Sequence, residues 1–218
     1  MPQRSVRGAR PERSKRSSQV APPADALGSH ELIEEVLAGV SARRAAVRFG
    51  ASKALRILSE RVPELIYPHF DFFVAMLDGD NHILQWNATI TIANLARVDR
   101  ESRIEAILDR YLDLISGANM ISAANAIQGA AIIGVAKPHL VKRIVQRIMR
   151  VERANYATPE CRNVAIGHAW GALSALADLL PDPRAARLFA ARQLGNPRAA
   201  TSAKARKFLK AREAPPSR

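Results

Sequence analysis

The chain has 218 residues, of which 48% are hydrophobic and 24% charged, and its formal net charge is +13. The 5% aromatic content, together with abundant alanine, favours closely packed helices over a β-sandwich. No apolar stretch reaches the roughly 18–20 residues of a membrane span, and the first 20 residues lack the apolar region of a secretory signal. Since Cys161 is the only cysteine, no disulfide forms within the chain, and we expect a cytoplasmic protein.

The first segment, residues 1–29, is basic and rich in arginine, serine and proline, and it has no apolar period. Such a segment cannot bury enough surface to offset the entropy lost when it orders. We therefore expect a disordered basic tail over 1–29. We also expect a short flexible C-terminus over 213–218.

The segment from His30 to residue 212 reads as one helix after another, because apolar residues recur at three- and four-residue spacing. Thr158, Asp182 and Asn196 each precede a proline, an arrangement typical of a helix start. The sequence predicts ten helices, arranged as five hairpins: 31–39, 42–60, 63–78, 81–97, 101–116, 119–136, 138–155, 159–180, 183–194 and 197–212.

The second helix of each hairpin follows one pattern, V-R-x-x-A-x-x-A-L-x-x-L. Its copies begin at Val47, Leu84, Ser122, Ala165 and, in a degenerate form, Arg198. Positions 1, 5, 8, 9 and 12 of the pattern form one helical stripe, which each hairpin alone would leave exposed to water. A spacing of roughly 40 residues per helical pair is typical of HEAT and armadillo solenoids, in which stacked hairpins bury such a stripe.

The segment Leu65–Val98 contains a first helix, an aspartate-containing turn and then this second-helix pattern. It resembles a HEAT repeat of the kind found in many bacterial and archaeal HEAT-repeat proteins. The resemblance covers roughly 30–212, although the arginine that the family has after the first aliphatic residue is present only as Arg48. It implies an all-α fold, an armadillo-like right-handed α–α superhelix of about five hairpins, with the second helices on the concave side.

Motifs of catalysis are absent from the sequence, which has no phosphate-binding loop, dinucleotide fingerprint, H-E-x-x-H zinc motif or nucleophile elbow. We therefore expect a protein that is not an enzyme and that has no catalytic residue, cofactor or metal site. A remote alternative is a DNA glycosylase, because some glycosylases for alkylated bases resemble this chain in architecture and positive charge. Trp86 and Trp170 would then be its candidate aromatic residues, and Asp178 is the acidic residue closest to Trp170 along the chain.

The residues of the second helices that face away from the stripe form the first candidate binding surface. Two of them are aromatic, and aromatic residues are enriched where proteins bind each other. This favours a scaffold or adaptor that binds a protein partner, although both aromatic residues could instead only pack between helices. The candidate residues are Phe49, Lys53, Trp86, Asn87, Asn125, Gln128 and His168.

A second candidate surface is basic, and it divides between a predicted first helix and the last helix. Clustered positive charge attracts nucleic acid or acidic proteins, although the last helix could instead be a polar cap that closes the array. The alternative function is therefore a nucleic-acid-associated protein that uses the basic tail and the C-terminal helices. The residues are Lys142, Arg143 and Arg147 on the first helix, and Lys204, Lys207 and Lys210 on the last.

Overall fold

A computed structural model describes residues 30–180 and 182–211, so the segments 1–29 and 213–218 lie outside the described residues. The described residues form helices and connecting turns without any strand, which confirms the prediction of an all-α chain. The α-helices are α1 His30–Gly39, α2 Ala45–Arg61, α3 Pro63–Ile66, α4 Phe70–Ala75, α5 His82–Leu95, α6 Arg103–Asp113, α7 Met120–Ala136, α8 Val141–Met149, α9 Pro159–Ala175, α10 Pro183–Arg192 and α11 Ala199–Ala211. Short 3₁₀ turns lie at Tyr67–His69, Met76–Asp78, Leu114–Ser116, Pro138–Leu140, Arg150–Arg153 and Ala177–Leu179.

The local signals in the sequence explain where these helices begin. The side chains of Thr158, Asp182 and Asn196 each accept a backbone N–H of the following turn, at 2.9–3.1 Å, as the capping prediction requires. The predicted helix 63–78 is interrupted by a 3₁₀ turn at Tyr67–His69, where Pro68 has no amide N–H for an α-helical bond. The predicted helix 42–60 begins at Ala45, three residues later than expected.

The helices pack in two layers. The second-helix layer consists of α2, α5, α7, α9 and α11, and each of these helices contacts the next in chain order. The first-helix layer consists of α1, α3, α4, α6, α8 and α10 with five of the six 3₁₀ turns, since the sixth, Ala177–Leu179, follows and contacts α9. Its members pack against the second-helix layer, for example α1 on α2 and α10 on α11.

The predicted stripe lies in the core between the two layers. In the copies that begin at Leu84, Ser122 and Ala165, every stripe position is buried except Leu84, which is half-buried. Val47 departs from the prediction because it is 44% exposed, in the first turn of α2. Close packing of the layers depends on small residues, because a Cβ on Gly129 would lie 1.9 Å from the Tyr111 hydroxyl.

One buried polar cluster links successive hairpins. The Asp99 side chain is fully buried, accepts a hydrogen bond from the Tyr67 hydroxyl at 2.7 Å and forms an ion pair with Lys137 at 3.0 Å. It also accepts the backbone N–H groups of Arg103 and Ile104. Burial alone would raise the pKa of Asp99, but the hydrogen bonds from Tyr67, Lys137 and the two N–H groups lower it. Burial and the neighbouring Asp99 carboxylate raise the pKa of Tyr67 to about 12.

Candidate functional site

The residues predicted to bind a partner all lie on the second-helix layer, and none of them is buried. Two lie on α2, two on α5, two on α7 and one on α9. Because these helices are consecutive neighbours, the residues lie along one surface, the second-helix face. This face comprises the exposed and half-buried residues of α2, α5, α7, α9 and α11. Their positions are Phe49 and Lys53 on α2, Trp86 and Asn87 on α5, Asn125 and Gln128 on α7, and His168 on α9.

The two tryptophans have different environments. Trp86 is half-buried, its indole Nε1 donates to the Ser122 hydroxyl at 3.0 Å, and the His82 ring stacks beside it. Trp170 is only 2% exposed, and its ring packs against Phe189 and Phe208. Trp86 therefore joins α5 to α7 while part of its ring remains accessible, whereas Trp170 is a core residue rather than a surface aromatic.

The polar residues near the beginning of the second helices mainly bond to protein groups nearby. The side-chain amides of Asn87 and Asn125 donate to the carbonyls one turn earlier in their own helices, at 3.0 and 2.9 Å. The Asn87 carbonyl also accepts from Arg56 of α2 at 3.1 Å. His168 occupies the equivalent position of α9. These hydrogen bonds therefore hold the asparagine side chains in place, and part of each side chain remains exposed on the second-helix face.

An apolar groove of about 490 Å³ lies between α7 and α9, and Gln128 and His168 lie on its walls. We name it the α7–α9 groove. One of its aliphatic residues, Val135, is 56% exposed. Three residues of the groove were not anticipated from the sequence, namely Ile132, Val135 and Ala175. The signal that could have found them is α7 itself, whose 17 residues include no charged side chain. The remaining lining residues are Ala124, Ala131, Gly171 and Ala172.

A second groove, of about 480 Å³, lies on the other side of α9, between α9 and α11. This α9–α11 groove shares Gly171 with the first groove and is lined by Lys204, Lys207 and Asp178. Lys204 Nζ also donates to the Gly167 carbonyl at 2.9 Å. The predicted basic residues Lys204 and Lys207 therefore line a groove on the opposite side of α9 from the apolar α7–α9 groove, and Lys210 is exposed on the same helix.

The His168 imidazole is exposed and lines the α7–α9 groove. Desolvation by its neighbours, together with the positive charges of Lys204 and Arg198, lowers the pKa of this ring. The ring is therefore neutral at neutral pH. A neutral imidazole can donate one hydrogen bond and accept another without adding charge to an apolar surface.

The first-helix half of the predicted basic surface is largely neutralised. Arg143 donates to Asp109 at 2.9 Å, and Arg147 forms an ion pair with Asp113, so two residues of α8 are paired with α6. Lys142 is exposed on the same helix. Equivalent ion pairs join other consecutive members of this layer: Arg103 with Asp71, Arg110 with Asp78, and Arg192 with Glu152. A hydrogen bond of 3.0 Å joins His139 to Glu105 in the same way.

The two layers differ in net charge as well as in pairing. The first-helix layer carries ten acidic residues and ten lysine or arginine residues. The helices of the second-helix layer carry nine lysine or arginine residues and two glutamates. In the part of the chain that the structure describes, none of these nine forms an ion pair. The unbalanced positive charge of the helices is therefore on the second-helix layer.

No protein-family model matches the chain, and a comparison with curated proteins finds no match. Over residues 30–180 and 182–211, no helix has the length and apolar character needed to cross a membrane. Over the same ranges, no group of three histidine, cysteine, aspartate or glutamate side chains could hold a metal ion. The chemical character of the second-helix face is therefore the basis for a functional proposal.

Proposed function

We propose that this chain is a non-catalytic scaffold that holds a protein partner on its second-helix face. The observation that carries the proposal is the open α7–α9 groove. Val135 is 56% exposed there, and Ile132 is half-buried beside it. An apolar groove is costly to leave in water, and a partner that covers it recovers that free energy.

The proposal includes the finer architecture, a HEAT-like right-handed superhelix with the second helices on its concave side. The contacts of α2, α5, α7, α9 and α11 in chain order support it. Hydrogen bonds between successive second helices also support it, because they join residues about one repeat apart. Such bonds join Arg56 to Asn87, Trp86 to Ser122 and Lys204 to Gly167, which are 31, 36 and 37 residues apart.

The composition of the groove suits a protein side chain as its occupant. Protein-binding surfaces have an apolar core with polar groups around it, and in this groove Gln128 and His168 are the polar groups beside the aliphatic residues. The single cysteine, Cys161, suits the reducing cytoplasm that we propose as the compartment of the complex.

The substitution Gly171→Trp tests the proposal. Gly171 is exposed, lines both grooves and has space around it, because a Cβ there would meet no atom within 4 Å. An indole at this position would fill the grooves without a clash in the core. Gly50→Trp is the matched control for the grooves, because Gly50 is an equally open, exposed position of the second-helix face, on α2, that lines neither groove.

The measurement is affinity capture, with the wild type and both variants, from cells that naturally contain the protein. We expect Gly171→Trp to lose the partner proteins that the wild type and Gly50→Trp retain, with the helical circular dichroism signal unchanged. Recovery of the same partners by the wild type and Gly171→Trp would show that the grooves do not hold them.

A further inference from the structure

The chemistry of the second-helix face also specifies the kind of partner. We propose that the bound segment is an acidic amphipathic helix. Its aliphatic side chains occupy the α7–α9 groove, and its carboxylates lie over Lys204 and Lys207 of α11. This inference rests on the proposed scaffold function and adds the chemistry of the partner to it.

Charge is distributed unevenly between the two layers. Acidic and basic residues are equal in number on the first-helix layer, and many are paired with each other, so that layer offers little net attraction. On the second-helix layer, basic residues outnumber acidic residues by nine to two. Because α5 and α7 carry no charged residue, this charge is concentrated on α2 and α11, on either side of an apolar centre. Electrostatic complementarity therefore favours an acidic partner on this face.

The two grooves lie next to each other on the second-helix face. Gly171 lines both grooves, so the apolar α7–α9 groove and the lysine-lined α9–α11 groove lie on the two sides of one helix, α9. Adjacent packed helices are about 8–10 Å apart, and a helix with its side chains is about 10–12 Å wide. A partner helix that lies along α9 therefore reaches Val135 with one side and Lys207 with the other. Among the described residues Lys207 forms no ion pair, so it is available to a carboxylate of the partner.

The same surface is less suited to a nucleic acid. Single strands bind where aromatic rings are exposed for stacking, but Trp170 and Phe208, which line the α9–α11 groove, are only 2% and 5% exposed. A phosphate backbone also has no aliphatic group to place against Ile132 and Val135.

A designed peptide can test this chemistry directly. The probe is a fluorescent helical peptide of about 15 residues, with leucine at heptad positions and glutamate elsewhere. One control peptide replaces every leucine by serine, and another replaces every glutamate by lysine. In fluorescence anisotropy titrations of the full chain, we expect each control peptide to bind at least about tenfold more weakly than the probe.

Substitutions in the protein locate the peptide. We expect Gly171→Trp and Lys207→Glu each to weaken the binding of the probe peptide about tenfold. Lys142→Glu makes the same charge change at an exposed lysine of the first-helix layer and should leave the affinity within about twofold. Lys207 is the better choice for this substitution, because Lys204 already bonds to Gly167 of its own chain.

Three results would overturn the inference. One is equal binding of the probe and either control peptide, including no binding of any of them. Another is an affinity that Gly171→Trp leaves unchanged. The third is binding of a single-stranded oligonucleotide that depends on Lys207 but not on Gly171, which would assign the face to nucleic acid. If the probe fails while captured proteins still depend on Gly171, the acidic partner is wrong and the scaffold proposal stands.

Discussion

The two layers of helices join neighbouring hairpins by different means. In the first-helix layer, exposed ion pairs such as Arg110 with Asp78 connect one helix to the next. In the second-helix layer the helices meet through small side chains and buried hydrogen bonds, as where Gly129 of α7 approaches Ala93 of α5 and the Ser122 hydroxyl donates to Gln85 at 2.6 Å. Two basic residues of this layer, Arg56 and Lys204, donate to neutral groups of the adjacent second helix, so these contacts do not neutralise their charge. This difference leaves the charge of one layer available to a partner.

The junction between the layers should be the most sensitive point. Asp99 precedes α6 of the first-helix layer, and Lys137 follows α7 of the second, so their buried ion pair connects both. We expect Lys137→Met to lower the free energy of unfolding by about 3–5 kcal/mol, because it leaves the carboxylate of Asp99 buried without its countercharge. Urea unfolding followed by circular dichroism measures this loss.

The control for this prediction is Lys142→Met, at an exposed lysine that follows Lys137 closely in the chain. It should change the stability by less than about 0.5 kcal/mol. A second substitution, Asp99→Leu, added to Lys137→Met should recover part of the loss, since no unpaired charge then remains. If Lys137→Met were as stable as the wild type, the ion pair would not link the layers in the way described.

Low pH should also destabilise the Asp99–Lys137 junction, but by less than Lys137→Met does, because Asp99 keeps its hydrogen bonds from Tyr67 and the backbone N–H groups. The pKa of Asp99 is lowered in the folded chain, so its stabilising contribution is fully present above the ordinary carboxyl pKa of about 4. This contribution is lost as the pH falls from there through the lowered value. We expect Asp99→Asn to lose less stability than the wild type between neutral pH and about pH 3. Equal losses in the two proteins would assign the acid sensitivity to other carboxylates, such as Glu105 and Asp109, whose pKa values are also lowered.

The close packing of α7 against α6 of the first-helix layer and α5 of its own layer is tested by Gly129→Ala. The added Cβ would lie 1.9 Å from the Tyr111 hydroxyl and 3.0 Å from the Cβ of Ala93. Because Tyr111 is buried and its hydroxyl donates to the Thr89 carbonyl, it cannot move without losing that bond. We expect destabilisation of about 1–3 kcal/mol by thermal or urea unfolding.

Replacement of glycine by alanine should have the opposite effect on stability at Gly50 and Gly171, where a Cβ would meet no atom within 4 Å. Alanine there should stabilise the helix by about 0.5–1 kcal/mol, because it restricts the unfolded backbone without a clash in the folded chain. A stabilising effect of Gly129→Ala would show that Tyr111 can be displaced at little cost.

Features that depend on one helix at a time were predictable from the sequence. The caps at Thr158 and Asp182 are local, and the buried stripe follows from helical periodicity alone. The two tryptophans also differ by position, because Trp86 is the third residue of its copy of the pattern and Trp170 is the sixth of its own. The sixth position lies beside the stripe. Whether Trp170 is buried or exposed therefore depends on its contacts with Phe189 of α10 and Phe208 of α11, which the pattern of α9 alone does not predict.

Features that depend on the alignment of one helix with the next were not predictable. Arg143 and Arg147 look like part of a basic patch when α8 is read alone. Their neutralisation requires Asp109 and Asp113, 34 residues earlier, to lie beside them, and no local pattern sets that alignment. The α7–α9 groove has the same origin. Val135 lies beyond the twelve positions of the repeat pattern, so only the packing of α9 shows that it borders a groove.

The ion pairs of the first-helix layer should give the smallest effect. Exposed pairs contribute little, because salt and water screen them and two long side chains lose freedom. We expect Arg143→Gln, which removes the pair with Asp109, to lower the melting temperature by less than about 2 °C, and this loss should vanish in molar salt. Arg56→Gln on the second-helix layer is the matched comparison, because Arg56 bonds to the neutral amide of Asn87 and its effect should not depend on salt. A salt-independent loss for Arg143→Gln would mean that its side chain acts by packing, and that the two layers differ less in how they join their neighbours than their charges indicate.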